Sequence, residues 1–371
     1  VNTIDLNIDS RGYATLKRLI RLINLLNGKP GDRLPAQSVL CKRLGANNTA
    51  VSAAMECLVQ TGVLTRRRRV GTVIQDLTAV PRLQWNVALL LPRPSGPGQF
   101  NYFSDLGSRV QAAIIRSGCR CFAYYVGGYR SAYPGLSDFP ELENDIPQID
   151  GIVTLMPIRL PDVERLEKKN LPVAHLPLWD QMPRAVLTDR RALASDAIRN
   201  LFDAGCRKFL VASPMNESGA VWRAIVATLS EVGLPNDAVE LANCQPGLVP
   251  GARLAHELIK RSRTNRPDGV IAFDDYTMMG FTQILARNDS KKQYDPVLAC
   301  LTTLQFPAMF ARPVMHFEMD NDVLTQRLTD MLMPLLENPA IEPQHHWVVP
   351  THTDGPVDQA AELSAMALAS D

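Results

Sequence analysis

GDRLPAQSVLCKRLGANNTAVSAAMECLVQTGVLTRRRRVGTVI, residues 31–74, reads as helix, turn, helix and basic hairpin in close succession. Leu34-Pro35 opens a helix that carries Val39, Leu40 and Leu44 inward and ends at Gly45. Asn47 is placed to cap the next helix, whose Val51, Ala54, Met55 and Leu58 form one apolar stripe before Gly62 stops it. Residues 63–65 and 70–74 then flank four consecutive arginines, Arg66, Arg67, Arg68 and Arg69, as a two-stranded wing. Upstream, Leu16, Leu19, Ile20, Ile23 and Leu26 recur at helical spacing with Lys17, Arg18 and Arg21 between them, an amphipathic first helix stopped by Asn27-Gly28. Three helices and a wing put the start of the third helix where it can enter a major groove, with the arginines over phosphates or the minor groove.

The rest of the chain is a different kind of object. At 371 residues it is too long for one ordinary domain. With 46% hydrophobic and 21% charged residues it can bury a large core. The net charge of +1 conceals an asymmetry, since residues 1–76 carry 12 Lys/Arg against 5 Asp/Glu and the remainder is net negative. A basic head on a mildly acidic body suits a nucleic-acid binder with a separate effector body. Seven scattered cysteines, with Cys119 and Cys121 one residue apart, read as reduced thiols. No apolar run approaches the ~18–20 residues of a membrane span and no signal core opens the chain, so no membrane partner and a cytoplasmic location are expected.

The head resembles the winged helix-turn-helix of GntR-family bacterial regulators over residues 12–75. The resemblance rests on Gly31, Leu34-Pro35, Leu44-Gly45, Thr49, Val51, Leu58, Gly62, Arg68 and Gly71-Thr72-Val73. It places Arg33, Ser38, Asn47, Asn48, Thr49, Ser52, Arg66 to Arg69 and Gly71 against DNA. The departures are specific. The family's three usual base- and phosphate-reaching arginines appear here as Ser38, Asn48 and Ser52, and the Ser that normally caps the second helix is Ala36. Asn and Ser still read base edges, Asn most naturally adenine, so a changed operator preference and heavier reliance on the wing are expected.

After a connector at 77–84, apolar runs at 87–91, 121–126, 152–155, 173–176, 209–212, 270–273 and 297–301 alternate with amphipathic stretches such as 106–117, 192–204, 221–232 and 252–263. That alternation predicts an α/β body with parallel sheets covered on both faces. Residues 85–355 resemble the ligand-binding domain of LacI-type repressors, a relative of periplasmic sugar-binding proteins. The signals are Asn101 to Leu106, Asp150-Gly151-Ile152, Leu171-Pro172-Val173, Val186 with Asp189, Leu201 followed by Gly205 to Lys208, and Pro267 to Asp274. A GntR-like head on such a body is the layout of arabinose-responsive repressors. The resemblance implies two lobes, one of about 85–178 with a return segment near 308–340, the other of about 180–305 with 346–355, and a tail at 356–371. It also implies a homodimer whose small-molecule effector, held between the lobes, changes the spacing of two heads on a double-stranded operator.

Positions after each strand are the expected ligand contacts: Asn101 and Phe103, Arg159, Trp179, Arg223, Phe273, Asp274 and Thr302. Phe103 can stack on a sugar ring. Phe273 and Thr302 stand where the family usually has an Asn and an Asp, so a sugar-like but less polar or anionic effector is expected. No phosphate-binding Gly-rich motif is present, Gly96-Pro97-Gly98 reads as a turn, and Ser195 and Ser213 lack a nucleophile context. His345, His346 and His352 read as structural, so neither catalysis, cofactor nor metal is expected. The leading expectation is a ligand-responsive transcriptional regulator, more specifically a repressor. The alternative is a ligand-binding module whose degenerate head no longer recognises a specific operator.

Overall fold

The computed structural model describes residues 8, 10–81, 83–92, 97–126, 135–156, 158–176, 184–213, 219–287, 294–305, 308–339, 341–342 and 344–357. The chain forms two compact units. One comprises Val1–Arg93, Gly107–Val186 and Thr325–His346, and the other Pro94–Leu106, Leu187–Leu324 and Trp347–Asp371.

The first unit contains the head and one lobe. Helices α1 (Ser10–Leu25), α2 (Gln37–Leu44) and α3 (Asn48–Gln60) precede an antiparallel hairpin of β1 (Leu64–Arg67) and β2 (Gly71–Ile74). Leu16, Leu19, Ile20 and Ile23 are buried as their spacing predicts. Leu26 and Val39 are not: Leu26 lies beyond the end of α1 and is 48% exposed, and Val39 is 39% exposed on the outer side of a two-turn helix. Gly45 takes the left-handed conformation (φ 58°) that ends α2. No side chain caps α2 at Ala36, whereas the Asn47 carboxamide accepts from the Ala50 amide at 2.8 Å and caps α3.

The lobe of the first unit is a parallel sheet of four strands, β3 (Asn86–Leu91), β4 (Arg120–Tyr125), β5 (Gly151–Thr154) and β6 (Val173–His175), in the order β4-β3-β5-β6. Its central strands are buried on both faces. The edge strand β4 is not, with Phe122 and Tyr125 42% and 52% exposed, a departure from the two-sided cover expected of its apolar run. Helix α4 (Pro97–Arg116) begins at Pro97, where the sequence suggested a turn; proline is well suited to the first helical turn because its missing N–H has no intrahelical partner there. Helices α5 (Pro140–Asp145) and α6 (Leu160–Glu167) complete the crossovers.

In the second unit, β7 (Val186–Thr188) leads into α7 (Arg190–Asp203), β8 (Phe209–Ser213), α8 (Ala220–Glu231), β9 (Val239–Asn243) and α9 (Leu248–Lys260). Strand β10 (Gly269–Ala272), α10 (Asp275–Arg287), β11 (Val297–Thr303) and β12 (Val314–Met319) follow, then α11 (Asn321–Glu337), β13 (His346–Val348) and β14 (Thr351–Val357). The sheet order is β14-β12-β11-β10-β8-β9, parallel except for β14. Strand alternation sorts its core: Phe209, Val211 and Ile271 pack with α7 and α8, while Leu210, Ala212 and Val270 pack with α9 and α10. Because β12 pairs with β11, the return to the first unit starts at Thr325, not near 308. Strand β14 also takes 356 and 357 from the expected tail.

Helices α9 and α10 approach backbone to backbone. A Cβ on Gly251 would lie 2.0 Å from the Thr277 carbonyl oxygen, and one on Gly280 would lie 2.0 Å from that of Leu248. Gly280→Ala should therefore destabilise the full chain by about 1–3 kcal/mol or more, because rigid backbone must move. Denaturant unfolding measures it, and an unchanged midpoint would rule out this contact.

Candidate functional site

The DNA-facing candidates of the head are all exposed. Ser38 of α2 and Asn47, Asn48, Thr49 and Ser52 at the start of α3 are exposed, as are Arg33 beside the wing and Arg66 to Arg69 and Gly71 on it. Asn47 Oδ1 is engaged in capping, and Asn48 Oδ1 lies 3.8 Å from Cys41 Sγ. Gln37, absent from the sequence-based candidates, donates to the Asn48 carbonyl at 3.2 Å and ties the start of α2 to that of α3. The arginines are unequal. Arg66 pairs with Glu56 of α3 at 2.9 Å, whereas Arg67, Arg68 and Arg69 project at the turn, Arg69 with φ 68°. Arg33 lies along Gly71, where a Cβ would meet its Nε at 3.0 Å, so glycine makes room for the guanidinium on the wing.

The same head is fastened to the lobe of its unit. Lys17, which looked like part of the polar face of α1, is buried and ion-paired with Asp150 at the entrance to β5. Asp150 Oδ2 also accepts from the Asn86 amide at 2.9 Å. Arg21 donates to the carbonyls of Asp150 at 2.5 Å and Leu336 at 2.6 Å, with its guanidinium 4.9 Å from the centre of the Trp85 ring. The Tyr13 hydroxyl accepts from the Gln84 amide at 2.6 Å. Burial pulls the Arg21 pKa down while Asp150 opposes that pull. No sequence pattern marked these residues as a junction; Asp150 stood out only within a strand-opening motif.

The second unit holds a half-buried polar cluster at strand ends. Asp274 and Asp275 follow β10, Arg190 opens α7, and Tyr102 and Phe103 lie on α4. Phe103 stands edge-on to Tyr102, ring centres 5.0 Å apart. Asp274 Oδ1 accepts from the Thr277 amide at 2.8 Å and so caps α10. Burial raises the Asp274 pKa, with Arg190 opposing, and raises that of Asp275 to about 6, with the Asp274 charge adding to the effect. Burial pushes the Tyr102 hydroxyl up to about 12, partly offset by Arg190. Two carboxylates, a guanidinium and two rings can bind hydroxyls, an anionic group and a ring face.

Other candidates fall elsewhere. Phe273 is 6% exposed and packs in the core with Ile271 and Phe317, because its position in the strand alternation points it to the α7 face. Thr302 is buried on β11, and its hydroxyl has no partner among the described residues. Arg223 is exposed on α8. Arg159, in the first unit, is held by Asp162 at 3.1 Å and lies across Gly135. Trp179 lies outside the described residues, as does the side chain of Asn101. Among the described residues no group of three or more His, Cys, Asp or Glu is placed to hold a metal.

Residues 13–74 match the family model of bacterial regulatory proteins, gntR family. The head is a GntR-family domain. The body has the fold of LacI-family regulators. A LacI family transcriptional regulator from Arthrobacter sp. FB24 superimposes with TM-score 0.57 at 16% identity, over 74% of this chain and 98% of that one. One from Enterococcus faecium with bound ribose gives 0.56 at 15%, over 73% and 97%. The Cra transcriptional dual regulator from Pseudomonas putida in complex with fructose 1-phosphate gives 0.57 at 15%, over 74% and 99%. No curated protein matches the chain.

In this GntR-headed chain the carboxylates should carry a pH signature. A raised Asp275 pKa means that the folded state binds its proton more tightly than the unfolded state. Stability is therefore favoured below the unfolded value of 3.8 and falls as pH rises toward about 6. Asp275→Asn should raise the thermal midpoint at pH 7, equivalent to about 1–3 kcal/mol, and flatten the profile between those values. Superimposable profiles for the two proteins would refute burial of an ionised Asp275.

Proposed function

We propose that the chain is a cytoplasmic, homodimeric transcriptional repressor whose GntR-family head binds a double-stranded operator. Its body takes a sugar-like or anionic small molecule that changes operator affinity. The carrying observation is the combination of an exposed α3 start and arginine wing with a half-buried carboxylate, arginine and aromatic cluster in the second unit. Sugar-class effectors are supported by the ribose and fructose 1-phosphate held by proteins of the same fold. Asp274 and Asp275 suit ligand hydroxyls, Arg190 an anionic group, and Phe103 a ring face; the orphaned Thr302 hydroxyl offers a further partner. Exposed Ile115, Phe122 and Tyr125 on α4 and β4 support dimerisation through the first unit. The fastening of α1 to the lobe supports direct transmission, since movement of that lobe carries the head with it. An effector of this kind needs only ~1–3 kcal/mol of differential binding to shift operator occupancy.

The test is fluorescence anisotropy of the full chain on duplexes covering its own gene neighbourhood, with and without sugars and sugar phosphates preselected by thermal shift. Saturable binding to one site, weakened by one such compound and insensitive to it in Arg190→Ala, is expected. Binding that is equal on every duplex would favour the alternative of a body whose head has lost operator specificity.

A further inference from the structure

A cavity of about 870 Å³ lies where α1 and the end of α2 face the lobe of the first unit, and it shares no lining residue with α3 or with the polar cluster described above. Its lining is electrostatically one-sided. Arg11, Lys17, Arg18 and Arg21 come from α1, Arg43 from α2, and Arg120 and Lys169 from the lobe; Asp150 is the only carboxylate among them. That carboxylate is already taken by Lys17 and the Asn86 amide. Among the described residues, Arg18, Arg43, Arg120 and Lys169 have no acidic side chain within ion-pair distance, although Arg18 donates to the Leu44 carbonyl at 3.2 Å. Ala14, Leu22, Leu25 and Leu44 add apolar wall.

We infer that this basin is a binding site for a small polyanion, a compound carrying two or more phosphate groups, distinct from the site of the proposed effector. A solvated charge run would scatter its cations along one element; here four separate stretches of chain converge on one concavity. Its volume falls within the ~300–1,000 Å³ of small-molecule pockets. Low-dielectric walls focus the field of clustered cations into a concavity, and guanidinium forks match phosphate oxygens two at a time. A duplex is far too wide to enter a space walled by α1 on one side and the lobe on the other. Because the head and the lobe both contribute cations, a bound polyanion removes repulsion across the junction and stabilises the docked head.

The test is calorimetric titration of the full chain with inorganic tripolyphosphate at about 0.15 M salt, where exposed charges beyond ~8 Å are screened. One saturable site is expected. Arg120→Ser with Lys169→Ser, both exposed and outside every ion pair described here, should weaken it about a hundredfold, tenfold for each lost charge-assisted contact. Arg120→Lys with Lys169→Arg should retain most of the affinity, which separates charge from misfolding. Alanines at Arg67, Arg68 and Arg69 should leave it unchanged. The inference is overturned if no saturable binding appears, or if the wing variant loses it while the Arg120 and Lys169 variant does not. It is equally overturned if sulfate at matched ionic strength competes as well as tripolyphosphate, an adventitious anion effect. Parallel loss of duplex and tripolyphosphate affinity in the Arg120 and Lys169 variant would make the basin a DNA-backbone contact and likewise overturn it.

Discussion

Asp150→Ala will cost the first unit about 3–5 kcal/mol, the range expected when one member of a buried ion pair is removed and the other is left without a partner. The side chains of Lys17 and Asp150 are only 8% and 12% exposed, so water cannot take over the role of the lost carboxylate. The substitution also orphans the Asn86 amide, which donates to Asp150 Oδ2 at the start of β3. Chemical denaturation of the full chain measures the loss, and limited proteolysis across the connector at 77–84 reports release of the head. The paired replacement Lys17→Met with Asp150→Leu should recover most of the stability, since well-packed apolar groups of similar size frequently equal a buried ion pair. If Asp150→Ala leaves the unfolding midpoint and the cleavage rate unchanged, α1 is not fastened to the lobe. Full recovery in the double variant combined with lost ligand response would instead show that the polar pair serves geometry and not stability.

That junction marks the boundary of what the sequence revealed. Helical spacing in α1 identified Leu16, Leu19, Ile20 and Ile23 correctly because one apolar stripe meets one core. The same reasoning put Lys17 on the water side, since nothing in a periodicity shows that a second surface with a carboxylate lies opposite. Strands β8 and β10 were legible as uninterrupted apolar runs because both faces of a parallel sheet are covered. Strands β9 and β12 escaped: β9 lies at the sheet edge with Glu240 and Asn243 exposed, and β12 carries a buried histidine and a glutamate. Strand-end position nominated Phe103 and Asp274, which lie with the polar cluster of the second unit, and also Phe273, whose side the strand alternation assigns to the core. Arg190, which the proposed effector site uses, was not nominated because it follows Asp189, whose capping of α7 absorbs the local signal. The close approach of α9 and α10 is invisible in sequence, where Gly251 and Gly280 are two glycines among 22.

Replacing Arg67, Arg68 and Arg69 together by alanine will lower duplex affinity on the order of 10- to 1,000-fold, about equally for every sequence tested, and reduce the salt slope by about 2–3. The wing makes the prediction specific. These three exposed side chains stand at the end of β1 and in the turn that follows it, and none is engaged by a carboxylate among the described residues, so each is available for one phosphate. Arg66 differs, because its guanidinium is 2.9 Å from Glu56 on α3 and already neutralised in part. Arg66→Ala should therefore cost less than any of the other three single replacements. Glu56→Gln should strengthen binding, since it removes a negative charge from α3 and frees Arg66 at once. Anisotropy titrations at several salt concentrations separate these outcomes, with Ser38, Asn48 and Ser52 left intact. With uncharged residues at those three positions, the wing is expected to supply most of the counterion release. A slope that does not change in the triple variant would move DNA binding off the wing. A loss confined to one duplex sequence would mean that these arginines read bases, with Arg69 in its left-handed turn the first to examine.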